Sequence, residues 1–220
     1  MTQSAIQRNQ IRLVYIYART YINHMSKPSH REAILNAGLQ VMFRTGYEGA
    51  TVRDICASAG APFGSFTNHF GTKEAFVKEV LDRYFANLQK TVRAALEDKA
   101  ISPRQRLKRY LENITEVLAK DQWSRGCLIG DLSIEATGES EFLRQRLIAI
   151  FKEWLAPFAE CIAEAQLAGE VDAGFDPMDL AEFLLSSWEG AILRMKVERG
   201  PAALERFQRI VFQTIFKEKQ

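Results

Sequence analysis

The sequence predicts an all-α protein. Three observations support this fold class: apolar residues recur every three or four positions along nine segments, capping residues and prolines open many of those segments, and glycines close several of them. No segment has the pattern of a β-strand, and the chain has no internal repeat. With 47% hydrophobic and 25% charged residues, the 220-residue chain is long enough for one large or two small domains that need no disulfide.

The predicted helices begin at residues that commonly cap helices. Ser29 with Glu32, and Thr51 with Asp54, have the spacing of a capping box before the first and second helices. Gly46 ends the apolar pattern of the first helix. The helices are predicted at about residues 30–44, 52–59, 63–70, 73–99, 103–120, 127–136, 139–169, 176–200 and 201–217.

Proline marks the boundaries of the later helices. Ser102 and Asp176 are capping residues, and each is followed by a proline at the first helical position. Pro201 begins the last helix directly after Gly200 ends the one before it. These signals divide the second half of the chain into five helices.

Residues 1–28 show no sustained period, and we expect them to be an N-terminal extension, either a disordered arm or a misassigned start upstream of Met25. Residues 29–75 are predicted to form a first domain and residues 76–220 a second. Residues 1–75 carry 8 Lys/Arg and 4 Asp/Glu, whereas residues 76–220 carry 21 and 23. The basic end favours contact with a polyanion, although four of its cations lie in the extension.

Several classes of protein are excluded. No apolar run approaches the roughly 18 residues that a membrane helix needs. Cys56, Cys127 and Cys161 form no CxxC pair, so we expect reduced thiols in a cytoplasmic protein. The sequence has no phosphate loop, no Gly-x-Ser-x-Gly motif and no His/Glu spacing for a metal. We therefore expect no enzyme activity, no cofactor and no metal.

Two short predicted helices, 52–59 and 63–70, have the spacing of a helix-turn-helix. DNA recognition requires a short helix that reaches the major groove, supported by a second helix across the backbone. Phe66 and Phe70 would anchor the second short helix inward. The residues predicted to face base edges and phosphates are Ser65, Thr67, Asn68 and His69.

The sequence around this motif resembles the TetR family of bacterial transcriptional regulators. The resemblance covers about residues 30–76 and implies a three-helix DNA-binding domain, a linking fourth helix and a C-terminal domain that binds a ligand and dimerises. The residues that carry it are Ala33, Gly38, Phe43, Gly46, Tyr47, Thr51-Val52-Arg53-Asp54-Ile55, Ala59-Gly60-Ala61, Gly64-Ser65-Phe66 and Asn68-His69-Phe70-Gly71-Thr72-Lys73-Glu74-Ala75.

The resemblance implies roles for residues beside the two short helices. Thr51, at a helix N-terminus, suits a phosphate, and Lys73 resembles the phosphate-binding lysine of the family. Many relatives have lysine and tyrosine where this chain has Phe63 and Thr67, which should weaken backbone anchoring. Arg53 could compensate for that loss.

In the second half, Gly126-Cys127-Leu128 resembles a segment of a TetR branch that responds to electrophiles and small unsaturated acids. Cys127 begins a predicted helix, and the helix dipole together with Arg125 would stabilise its thiolate. Cys127 is therefore either a sensor thiol or a buried apolar residue. Lys196 is either the counter-charge of a ligand or thiolate, or a solvated lysine.

The resemblance also implies a ligand pocket among the later helices and a dimer built by the last two. The apolar stripes predicted for that pairing are Leu180, Phe183, Leu184, Trp188, Ile192 and Met195 in the eighth helix, and Leu204, Phe207, Ile210, Val211 and Ile215 in the ninth. The residues predicted to line the pocket are Tyr110, Trp123, Phe151, Trp154, Phe183 and Trp188, together with Cys127 and Lys196. Such pockets are mostly apolar, but aromatic residues at helical spacing are also typical of a core.

The function that this sequence favours is a ligand-responsive DNA-binding repressor. As a homodimer it would bind a palindromic operator of double-stranded DNA, and a small-molecule effector or thiol modification would release it. The alternative is an all-helical protein that binds a small molecule or a partner but not DNA. Neither interpretation involves a membrane.

Overall fold

The computed structural model describes residues 30–216, and over this range the chain forms nine α-helices and no β-strand. The predicted all-α class is confirmed. The helices are α1 His30–Gly49, α2 Val52–Ala59, α3 Phe63–Phe70, α4 Lys73–Leu96, α5 Pro103–Lys120, α6 Leu128–Glu135, α7 Glu141–Leu167, α8 Pro177–Glu198 and α9 Ala202–Thr214. The predicted extension 1–28 and the Ser29 cap lie outside the described residues.

Capping residues set the helix boundaries much as the sequence predicts. Thr51 accepts a hydrogen bond of 3.1 Å from the Asp54 amide at the start of α2. Ser102 forms a capping box with Gln105 at the start of α5, and Asp176 caps α8. Each cap satisfies amides that the first helical turn leaves without a partner.

The fourth helix ends earlier than the predicted residue 99. The Asp98 carboxylate accepts a hydrogen bond of 3.1 Å from the Ala100 amide and pairs with Arg109 at 2.7 Å. An aspartate that bonds to the backbone two residues further on forms a turn. This turn competes with the helix, and α4 therefore stops at Leu96.

The end of α1 is broken at Gly46. Its φ of 74° and ψ of −176° lie in a region that only glycine adopts readily. The break exposes the amide of Tyr47, which donates a hydrogen bond of 2.5 Å to Glu135 Oε2 at the end of α6. A short corner of the first domain is thereby fixed to a helix of the second.

The core is one hydrophobic cluster to which all nine described helices contribute. An aromatic group of Phe66, Phe70 and Phe76 joins α3 to the start of α4, with ring centroids 4.9 to 5.3 Å apart. Gly38 gives Phe76 its space, because a Cβ there would overlap the ring. The orientation of α3 is thus set by α4 and α1.

Ion pairs attach α4 to helices on both sides of it. Glu79 and Arg83 of α4 pair with Arg31 and Glu32 of α1. Asp82 pairs with Arg146 of α7 at 2.5 Å. Within residues 30–216, no helix combines the length and hydropathy that crossing a bilayer would require.

Substituting alanine for Gly46 tests the broken corner. Gly46→Ala would force a side chain into the glycine-only region and place its Cβ against the Glu135 carboxylate. We expect a loss of about 1–3 kcal/mol in unfolding free energy, measured by urea denaturation at fixed protein concentration.

Gly64→Ala in α3 is the matched control, since a Cβ at that position meets no atom within 4 Å. Alanine is the better helix former, so this variant should be at least as stable as the parent. Equal stability of the two variants would contradict the proposed constraint at Gly46.

Candidate functional site

Helices α2 and α3 are joined by a tight three-residue turn. Gly60 adopts a left-handed conformation with φ of 60° and ψ of 31° and ends α2. Its amide and that of Ala61 donate to the carbonyls of Ala57 and Cys56 at 3.2 and 3.0 Å. The turn has the compact form expected of a helix-turn-helix.

The two faces of α3 differ sharply. Phe66 is 2% exposed and Phe70 lies in the same aromatic group, so these residues hold the helix. Thr67, Asn68 and His69 are exposed, and Ser65 is half-buried beside them. The solvent face of α3 therefore presents short polar side chains that donate and accept hydrogen bonds, as readout of base edges requires.

Thr51 and Arg53 lie exposed at the start of α2. The Thr51 hydroxyl also donates to the Asp54 carboxylate at 2.5 Å. A phosphate at this helix N-terminus must therefore compete with Asp54 for that hydroxyl. Arg53, two residues after Thr51, is exposed in the first turn of the same helix.

Lys73 begins α4 and lies against the broken corner of α1. Its Nζ is 4.6 Å from the centroid of the Tyr47 ring and donates to the Glu48 carbonyl at 3.4 Å. Desolvation lowers the pKa of Lys73, opposed by the nearby Glu48 carboxylate. The ammonium has further protons for a phosphate, and the Tyr47 ring fixes its position.

One exposed residue of α3 was not among the predicted contacts. Phe63 is 60% exposed at the first position of the helix. Phe63 lies three residues before the buried Phe66, a spacing that predicts the same inward face. Periodicity therefore does not predict that Phe63 is exposed. An apolar ring at this position suits the methyl group of a thymine in the major groove.

The second domain contains a cavity of about 510 Å³ between α6, α7 and α8, which we call the α6–α8 cavity. Its walls are mainly apolar. Its polar lining includes Cys127, Asp131, Glu189 and Lys196. The remaining lining residues are Gly126, Gly130, Ser133, Ile134, Phe151, Leu155, Glu182, Leu185, Ser186, Gly190, Ile192 and Leu193.

Glu189 is the most unusual polar group of the cavity. A Cβ on Gly130 would lie 2.6 Å from Glu189 Oε2, so the glycine gives the carboxyl group its space. Glu189 Oε1 is buried and has no hydrogen-bond partner among the described residues. Burial raises the pKa of Glu189 to about 7; a hydrogen bond from Cys127 opposes this shift and Asp131 adds to it.

Lys196 is held at the cavity wall by an ion pair. Its Nζ lies 3.1 and 3.2 Å from the two carboxylate oxygens of Asp131. This pair links α8 to α6 across the cavity. Lys196 and Cys127 both line the cavity, and the direct partner of the lysine is Asp131.

Cys127 is the buried N-cap residue of α6. Tyr84 Oη donates to its Sγ at 3.9 Å. Burial, followed by the Glu189 carboxylate, raises the pKa of the Cys127 thiol well above its ordinary value, although the amides of Gly130 and Ile129 act in the opposite direction. The thiol is therefore neutral near neutral pH.

The structure does not support the expectation that Arg125 stabilises a Cys127 thiolate. Arg125 donates to Gln40 of α1 at 2.9 Å and lies over the Phe43 ring at 5.4 Å. Both partners lie on α1, so the Arg125 side chain contacts that helix. The helix N-terminus contributes as expected, but burial outweighs it.

Of the aromatic residues predicted for the pocket, Phe151 lines the cavity. Phe183 is exposed on α8 and does not line it, and the other four lie elsewhere. Tyr110, Trp154 and Trp188 are buried in the core, and Trp123 is half-buried in the turn before α6. Tyr110 and Trp188 border only a gap of about 10 Å³. These rings pack against other helices, so their spacing reflects the core.

Helix α6 connects the two candidate sites. Its first turn carries Cys127, Gly130 and Asp131 at the cavity. Its last residue, Glu135, accepts the hydrogen bond from Tyr47 in the first domain. A helix of eight residues therefore spans the distance between cavity and helix-turn-helix domain.

Replacing Glu189 by glutamine tests its protonation. The folded state holds this proton up to about pH 7, whereas an unfolded glutamate loses it near 4.5. The folded state therefore loses stability as pH rises through this window, by up to about 3 kcal/mol. Relative to the parent, Glu189→Gln should gain stability between pH 5 and pH 8, measured by urea denaturation.

The surface variant Glu112→Gln on α5 is the control, since Glu112 is exposed and pairs only loosely with Lys108 at 3.8 Å. The difference in unfolding free energy between Glu112→Gln and the parent should stay constant above pH 5. If the difference in unfolding free energy between Glu189→Gln and the parent is also constant over this pH range, Glu189 is not protonated in the folded state.

Comparisons with known proteins agree with this arrangement. Residues 34–80 match the family described as bacterial regulatory proteins, tetR family, and residues 103–211 match a tetracyclin repressor-like C-terminal domain. The HTH-type transcriptional repressor DhaR of Mycobacterium sp. (strain GP1) is 42% identical over 191 residues, or 87% of this chain and 94% of DhaR.

Solved structures show the same fold. A crystal structure of the regulatory protein TetR from Rhodobacter sphaeroides has a TM-score of 0.80 and 32% identity, covering 84% of this chain and 98% of that one. The TetR family regulator CifR, solved as a cysteine mutant with 26-base-pair operator DNA, has a TM-score of 0.68 and 28% identity over 84% and 98% of the two chains. The chain described here therefore belongs to the TetR family, whose members are DNA-binding transcriptional regulators and not enzymes.

Proposed function

We propose that this protein is a repressor that leaves its operator when an effector occupies the α6–α8 cavity. The observation that carries the proposal is the position of α6, which lines the cavity at Cys127 and bonds to Tyr47 at Glu135. A ligand that displaces the first turn of α6 would act on the helix-turn-helix domain through the last turn of the same helix, which carries Glu135. Such a protein works in the cytoplasm, where the bacterial chromosome lies.

Operator binding would depend on hydrogen bonds and shape more than on net charge. Residues 30–75 have equal numbers of cations and anions, so their long-range attraction for DNA is weak. The exposed face of α3 and the first turns of α2 and α4 then supply most of the affinity. The charged residues concerned are Arg31, Arg44, Arg53 and Lys73 against Glu32, Glu48, Asp54 and Glu74.

Two copies of α3, about one DNA turn apart, would read a palindromic operator. In the proposed mechanism, effector binding changes the angle of α1 through Glu135 and that of α4 through Tyr84, which contacts both Cys127 and Phe43. The separation of the two α3 helices then no longer fits adjacent major grooves. A coupling of roughly 1–3 kcal/mol would change operator affinity about 5–150-fold.

The cavity suits a small, mostly apolar effector with a polar group that can pair with Glu189 Oε1. A covalent adduct on Cys127 would occupy the same space and act on the same turn of α6. A reversible ligand and a thiol modification are therefore two ways to cause the same displacement. The neutral Cys127 thiol makes the covalent route slow at neutral pH.

Alkylation provides a direct test of release. We expect the parent protein to retard DNA from the region flanking its own gene in a gel-shift assay at low salt. Treatment with N-ethylmaleimide at pH 8 should lower that affinity 5–150-fold in the parent. The control variant Cys127→Ser should bind the same DNA before and after treatment.

Failure to retard any flanking intergenic fragment would show that the assigned DNA role is wrong. Equal loss of binding by the parent and Cys127→Ser would assign the effect to Cys56 or Cys161. Both are buried free cysteines.

Removing Lys73 tests its contact with the DNA backbone. Lys73→Ala should weaken binding to operator and to unrelated DNA alike, because a phosphate contact carries no sequence information. The slope of log affinity against log salt should fall by about one per subunit. Fluorescence anisotropy over a range of salt concentrations measures both quantities.

Lys108→Ala is the matched control, because Lys108 lies exposed on α5 and pairs with Glu112. It should leave the salt slope unchanged. The phosphate role of Lys73 is wrong if both variants have the slope of the parent.

A further inference from the structure

We infer that Phe63 recognises the C5-methyl group of a pyrimidine in the major groove of the operator. In double-stranded DNA that methyl group belongs to thymine or to 5-methylcytosine. The inference rests on operator binding through α3, which belongs to the proposed function, and it adds which chemical group is read and by which side chain. Four observations on the described residues support it.

The first observation is that Phe63 is an exception on the surface around it. Its side chain is 60% exposed. Over residues 30–133 of the described range, every other Phe, Leu, Ile, Met, Val, Tyr or Trp side chain is buried or half-buried. Leaving a phenylalanine ring in water forgoes the stability that burial provides, and a surface that covers the ring recovers it.

The second observation is the position of the ring at the end of α3 that would enter the groove. Phe63 is the first residue of α3, and Pro62 precedes it as the N-cap. Side chains of an α-helix tilt toward its N-terminus, so we expect the ring to extend past the helix end. The N-terminal residues of a recognition helix are the ones that contact base edges. Phe63 is therefore placed to meet a base.

The third observation is the chemistry of α3, which contains no Lys, Arg, Asp or Glu. Its exposed polar side chains Thr67, Asn68 and His69 can read donors and acceptors on base edges. The C5-methyl group is the apolar feature that a pyrimidine presents in the major groove. Phe63 is the exposed large apolar side chain that α3 presents in return.

The fourth observation is open space beside the ring. A Cβ on Gly60 or on Gly64 would meet no atom within 4 Å. The left-handed conformation of Gly60 accounts for that glycine. Gly64 lies within α3, where glycine costs stability relative to alanine, so its conformation does not account for it. The missing side chain of Gly64 lets DNA approach the backbone next to Phe63.

The experiment replaces thymine by uracil, which removes the methyl group and leaves every hydrogen-bonding group of the base in place. The probe is an intergenic fragment from the region flanking the gene of this protein, amplified with either dTTP or dUTP. The parent should bind the uracil fragment about fourfold more weakly for each contacted methyl group, or roughly fifteenfold for two half-sites. Phe63→Ala should bind both fragments with about equal affinity in the same gel-shift assay.

Phe175→Ala is the matched control, because Phe175 is also 60% exposed but lies in the turn between α7 and α8. It should keep the thymine-to-uracil ratio of the parent. Phe63→Leu should retain part of that ratio, since leucine also offers an apolar contact. Phe63→Lys should lose the ratio and raise the slope of log affinity against log salt by about one per subunit. Urea denaturation checks that each variant is as stable as the parent.

Single substitutions identify the methyl group and its source. Duplexes with one uracil in each half-site should lose affinity at one pair of symmetric positions. At that pair, cytosine is then compared with 5-methylcytosine, each opposite guanine. Tighter binding of the methylated duplex by the parent, but not by Phe63→Ala, would support recognition of the methyl group on either base. A preference for thymine over uracil alone would support recognition of thymine.

Equal binding of thymine and uracil DNA by the parent would overturn the inference. A loss of affinity in Phe63→Ala that is the same for both DNAs would also overturn it, because the ring would then contact a sugar or stack on a base. Both results leave operator binding intact. A parent protein that binds neither DNA would instead overturn operator binding together with this inference, so the two failures are distinguishable.

Discussion

The hydrogen bond between the Tyr47 amide and Glu135 is the contact on which the relation of the two domains depends. Gly46 breaks α1, and the broken turn leaves the Tyr47 amide without its helical acceptor. Only an acceptor from another element can satisfy it, and the end of α6 supplies one. Helix α6 has eight residues and is about 12 Å long, and in the proposed mechanism it transmits a movement at its first turn to this bond. The backbone break at Gly46 thus joins the end of α1 to the end of α6.

The cavity at the other end of α6 contains a polar group in an unfavourable environment. Glu189 is half-buried, and its buried Oε1 atom has no partner within residues 30–216. Its proton persists where an exposed glutamate would be ionised. Burial of this kind costs stability, and proteins retain such a cost chiefly at functional sites. A ligand that pairs with Glu189 recovers part of the cost, which strengthens its binding. The same carboxyl group suppresses ionisation of Cys127, so reversible occupancy is favoured over spontaneous alkylation.

Local chemistry in the sequence predicts much of the fold but little of the cavity. Caps such as Thr51 and Ser102 act within one helical turn, and the predicted helix starts at these positions are confirmed. The turn at Asp98 combines a local hydrogen bond to the Ala100 amide with a pairing to Arg109, eleven residues away, and helical periodicity does not reveal that pairing. Trp188 and Glu189 are neighbours in sequence, yet one faces the core and the other the cavity. Periodicity identifies the apolar face of a helix, but which neighbouring helix covers that face depends on packing between distant segments.

Helix α8 faces three different environments, which explains why its sequence is apolar around most of its circumference. Trp188 faces the core, Glu189 faces the α6–α8 cavity and Val197 faces the outer surface. In the proposed mechanism, an effector that contacts Glu189 also contacts the first turn of α6, and release from the operator follows the path from α6 to Tyr47.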